Sequence, residues 1–305
     1  MSSLAPILLF AFNRTKHTKQ TLNYLAANDL ASDSDLFVYS DAARNDEEVV
    51  AVNEVRHLVR TAQGFRSVTC IERQTNYGLA RNIIEGVSEI CQRYGRVIVL
   101  EDDLVTSPAF LKFMNLALDR YKHERQVWHI SGWNYPIDSE GLGDAFFLRV
   151  MNCWGWATWA DRWKHFEKDT IKLIAEFDKD KIRKFDLENS GAFWNQVLLN
   201  QKGQINTWAI YWYATIFKNN GVCLNPALSY IDNIGLDGSG THGCEDREIY
   251  ATKLNKNENP NFPSTINESE KGIERIIKFY KNIKPSLSDR IIYKISSILR
   301  MARLR

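Results

Sequence analysis

The chain has 305 residues, 44% of them hydrophobic and 25% charged, with 39 basic against 37 acidic side chains and a net charge of +2. That length holds one large domain or two small ones with a substantial core. The near-neutral balance excludes a disordered polyelectrolyte and a basic footprint for nucleic acid, so no nucleic-acid partner is expected.

The five cysteines (Cys70, Cys91, Cys153, Cys223, Cys244) are odd in number and widely spaced, with no CxxC or zinc pattern. A reducing compartment fits them better than a disulfide framework. The first apolar run, 7–12, has no basic lead and no cleavage site, which makes it a strand and not a signal peptide. No apolar run reaches the roughly 18 residues of a membrane span. A cytoplasmic protein is expected.

In chain order, residues 6–12 read as a buried strand ending at Asn13-Arg14, followed by a helix over 15–28 with Leu22 and Leu25 inward. A second strand, 36–39, runs toward Asp41. Asn45, with Glu48 three residues on, resembles a capping pair for a helix that closes at Gly64. A third strand covers 68–71. The next helix places Leu79, Ile83, Val87, Ile90 and Tyr94 on one face and stops at Gly95. The fourth strand, 97–100, runs straight into Glu101, Asp102 and Asp103.

Strands alternating with helices predict a parallel, doubly wound sheet, and such sheets bind ligands beyond the carboxyl ends of their strands. Asn13, Arg14, Asp41 and the three acids all lie at such ends. Adjacent carboxylates at a buried strand end repel one another unless a positive charge sits between them. Mn²⁺ or Mg²⁺ carrying phosphate oxygens meets that need, since such ions take one or two carboxylates and keep positions for ligand. The plainer reading is an acidic turn capping the next helix, but the cap signal Ser107-Pro108 lies four residues beyond Asp103. Neither a GxGxxG nor a P-loop follows the first strand.

Past the acids come a helix over 108–121, a strand over 127–130, a turn at 131–134, a strand over 146–149 and an aromatic block over 153–159. Residues 164–190 are charged and helical in character. Thr207 is read as the cap of a helix with Trp208, Tyr211, Trp212 and Ile216 inward, ending near Gly221. Residues 233–243 carry Gly235, Gly238, Gly240 and Gly243, the composition of a mobile loop over a site. Residues 251–264 read as a polar linker. The last segment, 265–305, is helical. Over 286–305, Leu287, Ile291, Ile295, Ile298 and Leu299 share one side, against Arg290, Lys294, Arg300, Arg303 and Arg305. That pattern suits peripheral contact with an anionic membrane surface, and equally a docked terminal helix with a solvated basic face.

Taken together, residues 4–245 resemble the GT-A class of nucleotide-sugar glycosyltransferases. The triple acid looks like that class's DxD-type motif. The block Val99-Leu-Glu-Asp-Asp-Leu104 followed by Ser107-Pro108-Ala-Phe110 is similar to the Golgi family that adds β-1,2-N-acetylglucosamine to mannose, and to its bacterial relatives. Pro226, Ser229, Gly235, Gly238, His242 and Gly243 follow in the order of that family's C-terminal loop.

The resemblance implies a GT-A sheet with a nucleotide-binding half over 4–104, and a mixed α+β acceptor half with a flexible loop over 105–250. It implies a nucleotide-sugar donor, UDP-linked, and a glycan acceptor, which a membrane-surface tail would make lipid-linked, as in bacterial surface polysaccharide synthesis. By the same resemblance Asp103 holds the metal, with His242 as a second ligand. Glu101 and Asp102 face ribose and donor sugar. Phe12, Asn13, Arg14 and Asp41 contact the nucleotide, Asn76 and Arg81 lie near ribose and diphosphate, and Thr241 folds over the diphosphate.

One position departs from the family. Its general base lies in a Trp-Asp-Asp-Trp segment, which here reads Trp208-Ala209-Ile210-Tyr211, with Ala209 at the base's place. An inverting transfer needs a carboxylate near the acceptor hydroxyl. Asp237 and then Glu188 are the candidates for it, unless the reaction is retaining. Trp133, Trp154 and Trp156 are candidate stacking faces for the acceptor. Two other functions remain open at this point. A nucleotidyltransferase would use similar acids but needs a glycine-rich basic loop, which Asn13-Arg14-Thr15-Lys16 is not. A degenerate, non-catalytic scaffold is the reading that Ala209 raises.

Overall fold

The computed structural model describes residues 4–237 and 247–283. In chain order the elements are β1 (Ile7–Ala11), α1 (Thr15–Ala26), β2 (Asp35–Ser40), α2 (Val49–Arg60), β3 (Ser67–Glu72), α3 (Gly78–Tyr94), β4 (Arg96–Glu101), β5 (Leu104–Thr106), α4 (Phe110–Arg120), β6 (Val127–Ser131), β7 (Ala145–Leu148) and β8 (Trp156–Trp159). There follow α5 (Ala160–Trp163), α6 (Thr170–Glu176), α7 (Lys179–Phe185), α8 (Trp194–Gln201), α9 (Ala209–Lys218), β9 (Val222–Pro226), β10 (Ile231–Asn233), α10 (Arg247–Tyr250) and α11 (Glu270–Ile283).

Eight strands form one sheet in the order β3-β2-β1-β4-β8-β6-β9-β7. The first four are mutually parallel, as the alternating pattern predicts. β8 then inserts antiparallel between β4 and β6, and β7 closes the far edge antiparallel to β9. The β1 residues and Val97 to Leu100 of β4 are all buried, the mark of strands covered on both faces. α3 packs on β1 so closely that a Cβ on Gly86 would sit 2.9 Å from the Phe10 ring.

Local signals fared unevenly. The Asn45 side chain does accept from the Glu48 amide, though a short 3₁₀ turn intervenes before α2. Gly95 ends α3 in the left-handed region at φ 77°, where glycine carries no Cβ penalty. Leu79 is 47% exposed, because Ala80 and Asn82 take the inward places of the first turn. Thr207 does not cap α9. Its hydroxyl and amide are both engaged by the Asn200 side chain, at 2.9 and 3.1 Å. Ser107 stands ahead of α4, receiving the Ala109 amide while its hydroxyl donates to the Asn255 carbonyl.

Residues 251–264 hold no regular element, yet they are tied to the body. Asn255 donates its amide to the Ser229 carbonyl, the Tyr230 hydroxyl donates to the Asn257 carbonyl, and that of Tyr121 to the Pro263 carbonyl, each at 2.7 Å. α11 lies against β7, with Gly272 in close approach to Phe146 and Glu268 paired to Arg149. Among the described residues no helix is long and apolar enough to cross a membrane. The basic stretch 286–305 lies outside them.

Candidate active site

β4 lies at the middle of the sheet, between β1 and β8. Its last residue, Glu101, stands in register with Phe10. The chain then turns through Asp102 and Asp103 and leaves the sheet as β5, which pairs antiparallel with β10. The three acids therefore stand at the end of the strand where parallel pairing gives way to antiparallel, and sheets of this kind bind ligand beyond such strand ends.

The end of β1 meets them there. The Phe12 amide donates to Asp102 Oδ2 at 3.4 Å, and one guanidinium nitrogen of Arg14, Nη2, reaches both Asp102 Oδ1 and Asp103 Oδ2, the latter at 2.9 Å. From α1 the Thr21 hydroxyl donates to the Asp102 carbonyl at 2.9 Å. On the other side the Ile234 amide donates to the Asp103 carbonyl at 2.9 Å. A Cβ on Gly235 would overlap Asp103 Oδ2 and lie 2.8 Å from Asp103 Cβ and Cγ. The root of the glycine-rich segment thus lies directly on the acid.

Burial, then the charges of Asp103 and Asp102, push the Glu101 carboxyl up to about 8, with Arg14 opposing. Burial also raises Asp102, against the pull of Arg14. Burial works against the Arg14 charge, but Asp102 and Asp103 together hold the guanidinium above its ordinary value. Asp102 and Asp103 against the single Arg14 guanidinium still leave an excess of negative charge, the condition that draws in a further cation.

Among the described residues no group of three or more His, Cys, Asp or Glu side chains forms a metal cage. An ion of the Mg²⁺ or Mn²⁺ kind needs only one or two carboxylates, with substrate phosphates supplying the rest. Two carboxylate oxygens, Asp102 Oδ1 and Asp103 Oδ2, already converge on one positive group. The residues fit the cation.

The other expected site residues divide. Asp41 is buried, and its carboxylate accepts the amides of Tyr77 (2.8 Å), Gly78 (2.9 Å) and Ala42 (3.0 Å), tying the end of β2 to the start of α3. Asn76 donates to the Ala42 carbonyl at 2.6 Å. Asn13 donates to Glu48 at 3.3 Å, and the Arg44 guanidinium lies 5.2 Å over the Phe12 ring. Arg81 lies 3.8 Å over the Tyr77 ring and pairs with Glu85. Asp237, four residues past β10, meets His17 Nε2 of α1 at 3.1 Å. Glu188 pairs instead with Arg183, in the left-handed run Leu187 to Asn189 after α7. Thr241 and His242 lie outside the described residues.

Trp156 is not a sugar platform. It is 1% exposed and stacked between His129 and Trp208, with centroids 5.3 and 5.2 Å away. Trp133 is buried too, packed edge-on to the half-buried Trp154. Sequence reasoning missed Thr21, Tyr77 and His17. For His17 a signal existed: it follows Arg14 by three residues at the start of a helix, on the same side.

With this geometry in hand, likenesses to known proteins take their place. A model of the GNT-I family matches residues 1–170, over half of the chain. No curated protein matches. Among solved structures, the chain is similar to mannosyltransferase PcManGT from Pyrobaculum calidifontis in complex with GDP-Man and Mn²⁺. The identity is 10%, over 72% of this chain and 70% of that one, with a TM-score of 0.38. It is similar also to S. aureus TarS 1–349 at 12% identity, over 76% of this chain and 61% of that one, with a TM-score of 0.41. By the family match, which spans over half of the chain, the chain belongs to the GNT-I family and is a nucleotide-sugar glycosyltransferase.

Proposed function

We propose that the enzyme transfers a sugar from a UDP-linked donor, with a divalent cation, to a glycan acceptor. The observation that carries this reading is the convergence of Arg14, Asp102 and Asp103 under the root of the glycine-rich segment. Asp103, with Asp102 beside it, would hold the cation, which when bound offsets the charge that develops on the leaving diphosphate. Arg14 presents a planar fork suited to phosphate oxygens. Glu101, whose carboxyl is pushed up by burial and the neighbouring acids, faces ribose or sugar as a hydrogen-bonding group.

Ala209 opens α9 without a carboxylate. Asp237, held by His17 Nε2, is the acid we assign to taking the acceptor proton in an inverting transfer. A glycine-rich stretch over 233–243 that covers the donor would exclude water and favour transfer over hydrolysis; residues 238–243 of it lie outside the described residues. The basic stretch 286–305 supports a cytoplasmic enzyme at the inner face of a membrane, acting on a lipid-linked glycan of a surface polysaccharide. The four described cysteines are all unpaired, which suits that compartment.

A donor screen by mass spectrometry tests the reading. Release of UDP together with a β-configured product from an α-linked donor is expected. Pyrophosphate release would replace the reading with a nucleotidyltransferase, and binding without turnover would replace it with a scaffold.

A further inference from the structure

We propose that Arg14 is an internal counter-cation that competes with the divalent ion for Asp103, and so makes cation binding depend on the arrival of a nucleoside diphosphate. The proposal rests on the donor-site reading above.

A single atom carries the argument. Arg14 Nη2 is shared between Asp102 Oδ1 and Asp103 Oδ2, so the point where the two carboxylates converge is taken by a positive group of the protein itself. A divalent ion bound to Asp103 Oδ2 needs that place, and two cations do not share it. The guanidinium must then leave Asp103.

The backbone of Arg14 is fixed while its side chain is not. The residue stands just ahead of α1, its carbonyl receiving both the amide and the hydroxyl of Thr18 at 2.9 Å. The side chain is 21% exposed and rides on a long flexible stem, so it can swing without unwinding the helix. Asp102 keeps its position through the Phe12 amide and the Thr21 hydroxyl on its carbonyl.

A released guanidinium in a half-buried crevice loses a charge-assisted pair unless another anion replaces Asp103. The donor's diphosphate is such an anion, and an arginine fork matches its oxygens. Without nucleotide, the cation must break an ion pair to bind. With it, Arg14 exchanges one anion for another. By linkage, the cation then strengthens nucleotide binding by the same factor that the nucleotide strengthens cation binding.

The test titrates Mn²⁺ into wild type, Arg14→Met and Asp103→Asn, with and without UDP, following the free ion by electron paramagnetic resonance. Arg14→Met is expected to bind Mn²⁺ roughly tenfold more tightly than wild type when UDP is absent, and to gain less from UDP. Mn²⁺ should also raise the melting temperature of Arg14→Met more than that of wild type. Should Arg14→Met fail to fold, Arg14→Gln is expected to shift Mn²⁺ affinity in the same direction. Equal or weaker Mn²⁺ binding by the Arg14 variants, with Asp103→Asn abolishing it, would overturn the competition while leaving the donor site standing. No Mn²⁺ binding in wild type at any UDP concentration would remove the donor-site reading and the proposal together.

Discussion

The Ile234 amide donates to the Asp103 carbonyl over 2.9 Å, so the start of the glycine-rich segment and the last of the three acids are fixed to one another by backbone. The next residue, Gly235, has no room for a side chain against Asp103. Gly235→Ala should push the acid or the segment aside. A displacement of that order costs about 10²-fold in turnover, because reacting groups lose alignment. Steady-state kinetics beside a melting curve would show activity falling with the fold retained.

Glu101 gives a pH signature. Its carboxyl stands at about 8 against an ordinary value of 4.5, so between those pH values the folded protein binds a proton that the unfolded chain has released. Stability from this group is full below the unfolded value and is lost as pH rises toward 8. In metal-free protein, Glu101→Gln should therefore gain stability relative to wild type as pH rises from 5 to about 8. Parallel melting curves at several pH values check it; a constant difference would contradict the assignment.

Asp237 and Glu188 separate by their partners. Asp237→Asn, which leaves the donor-side acids untouched, should lower kcat by about 10² to 10⁴-fold with UDP affinity unchanged. Glu188, held by Arg183 beyond α7, should tolerate Gln with kcat within about twofold, as exposed ion pairs contribute little. Loss of activity in Glu188→Gln but not in Asp237→Asn would reverse the assignment.

Asp41 carries a structural duty that a purely nucleotide-binding role does not predict. Its carboxylate accepts three backbone amides, two of them at the start of α3. Asp41→Ala should cost about 1–2 kcal/mol of stability, the usual size of a lost helix cap. Asp41→Asn, keeping one acceptor, should cost less. Urea denaturation measures both.

Much of this was legible in the chain because the signals are local. The apolar runs of β1, β2 and β4 and the stop at Gly95 depend only on neighbours in sequence. The insertion of β8 between β4 and β6 is not local. Its antiparallel register joins Arg96 to Trp159, and no periodicity reports which strands meet. The tryptophans show the same limit: a ring such as Trp156 looks alike in sequence whether it stacks on a sugar or on His129. The acids were legible as a group in need of positive charge, but the Arg14 contact, 88 residues away in sequence, required the fold.

Asp103→Asn, assayed beside wild type with and without EDTA, tests the central claim most directly. The account predicts that the variant and chelated wild type both lose nucleoside diphosphate release by about 10³-fold or more, the cation's share of leaving-group stabilisation. The variant should melt near the wild-type temperature, since Asn keeps the side chain's shape. Full turnover in either condition would contradict the claim that the acids at the end of β4 act through a bound cation.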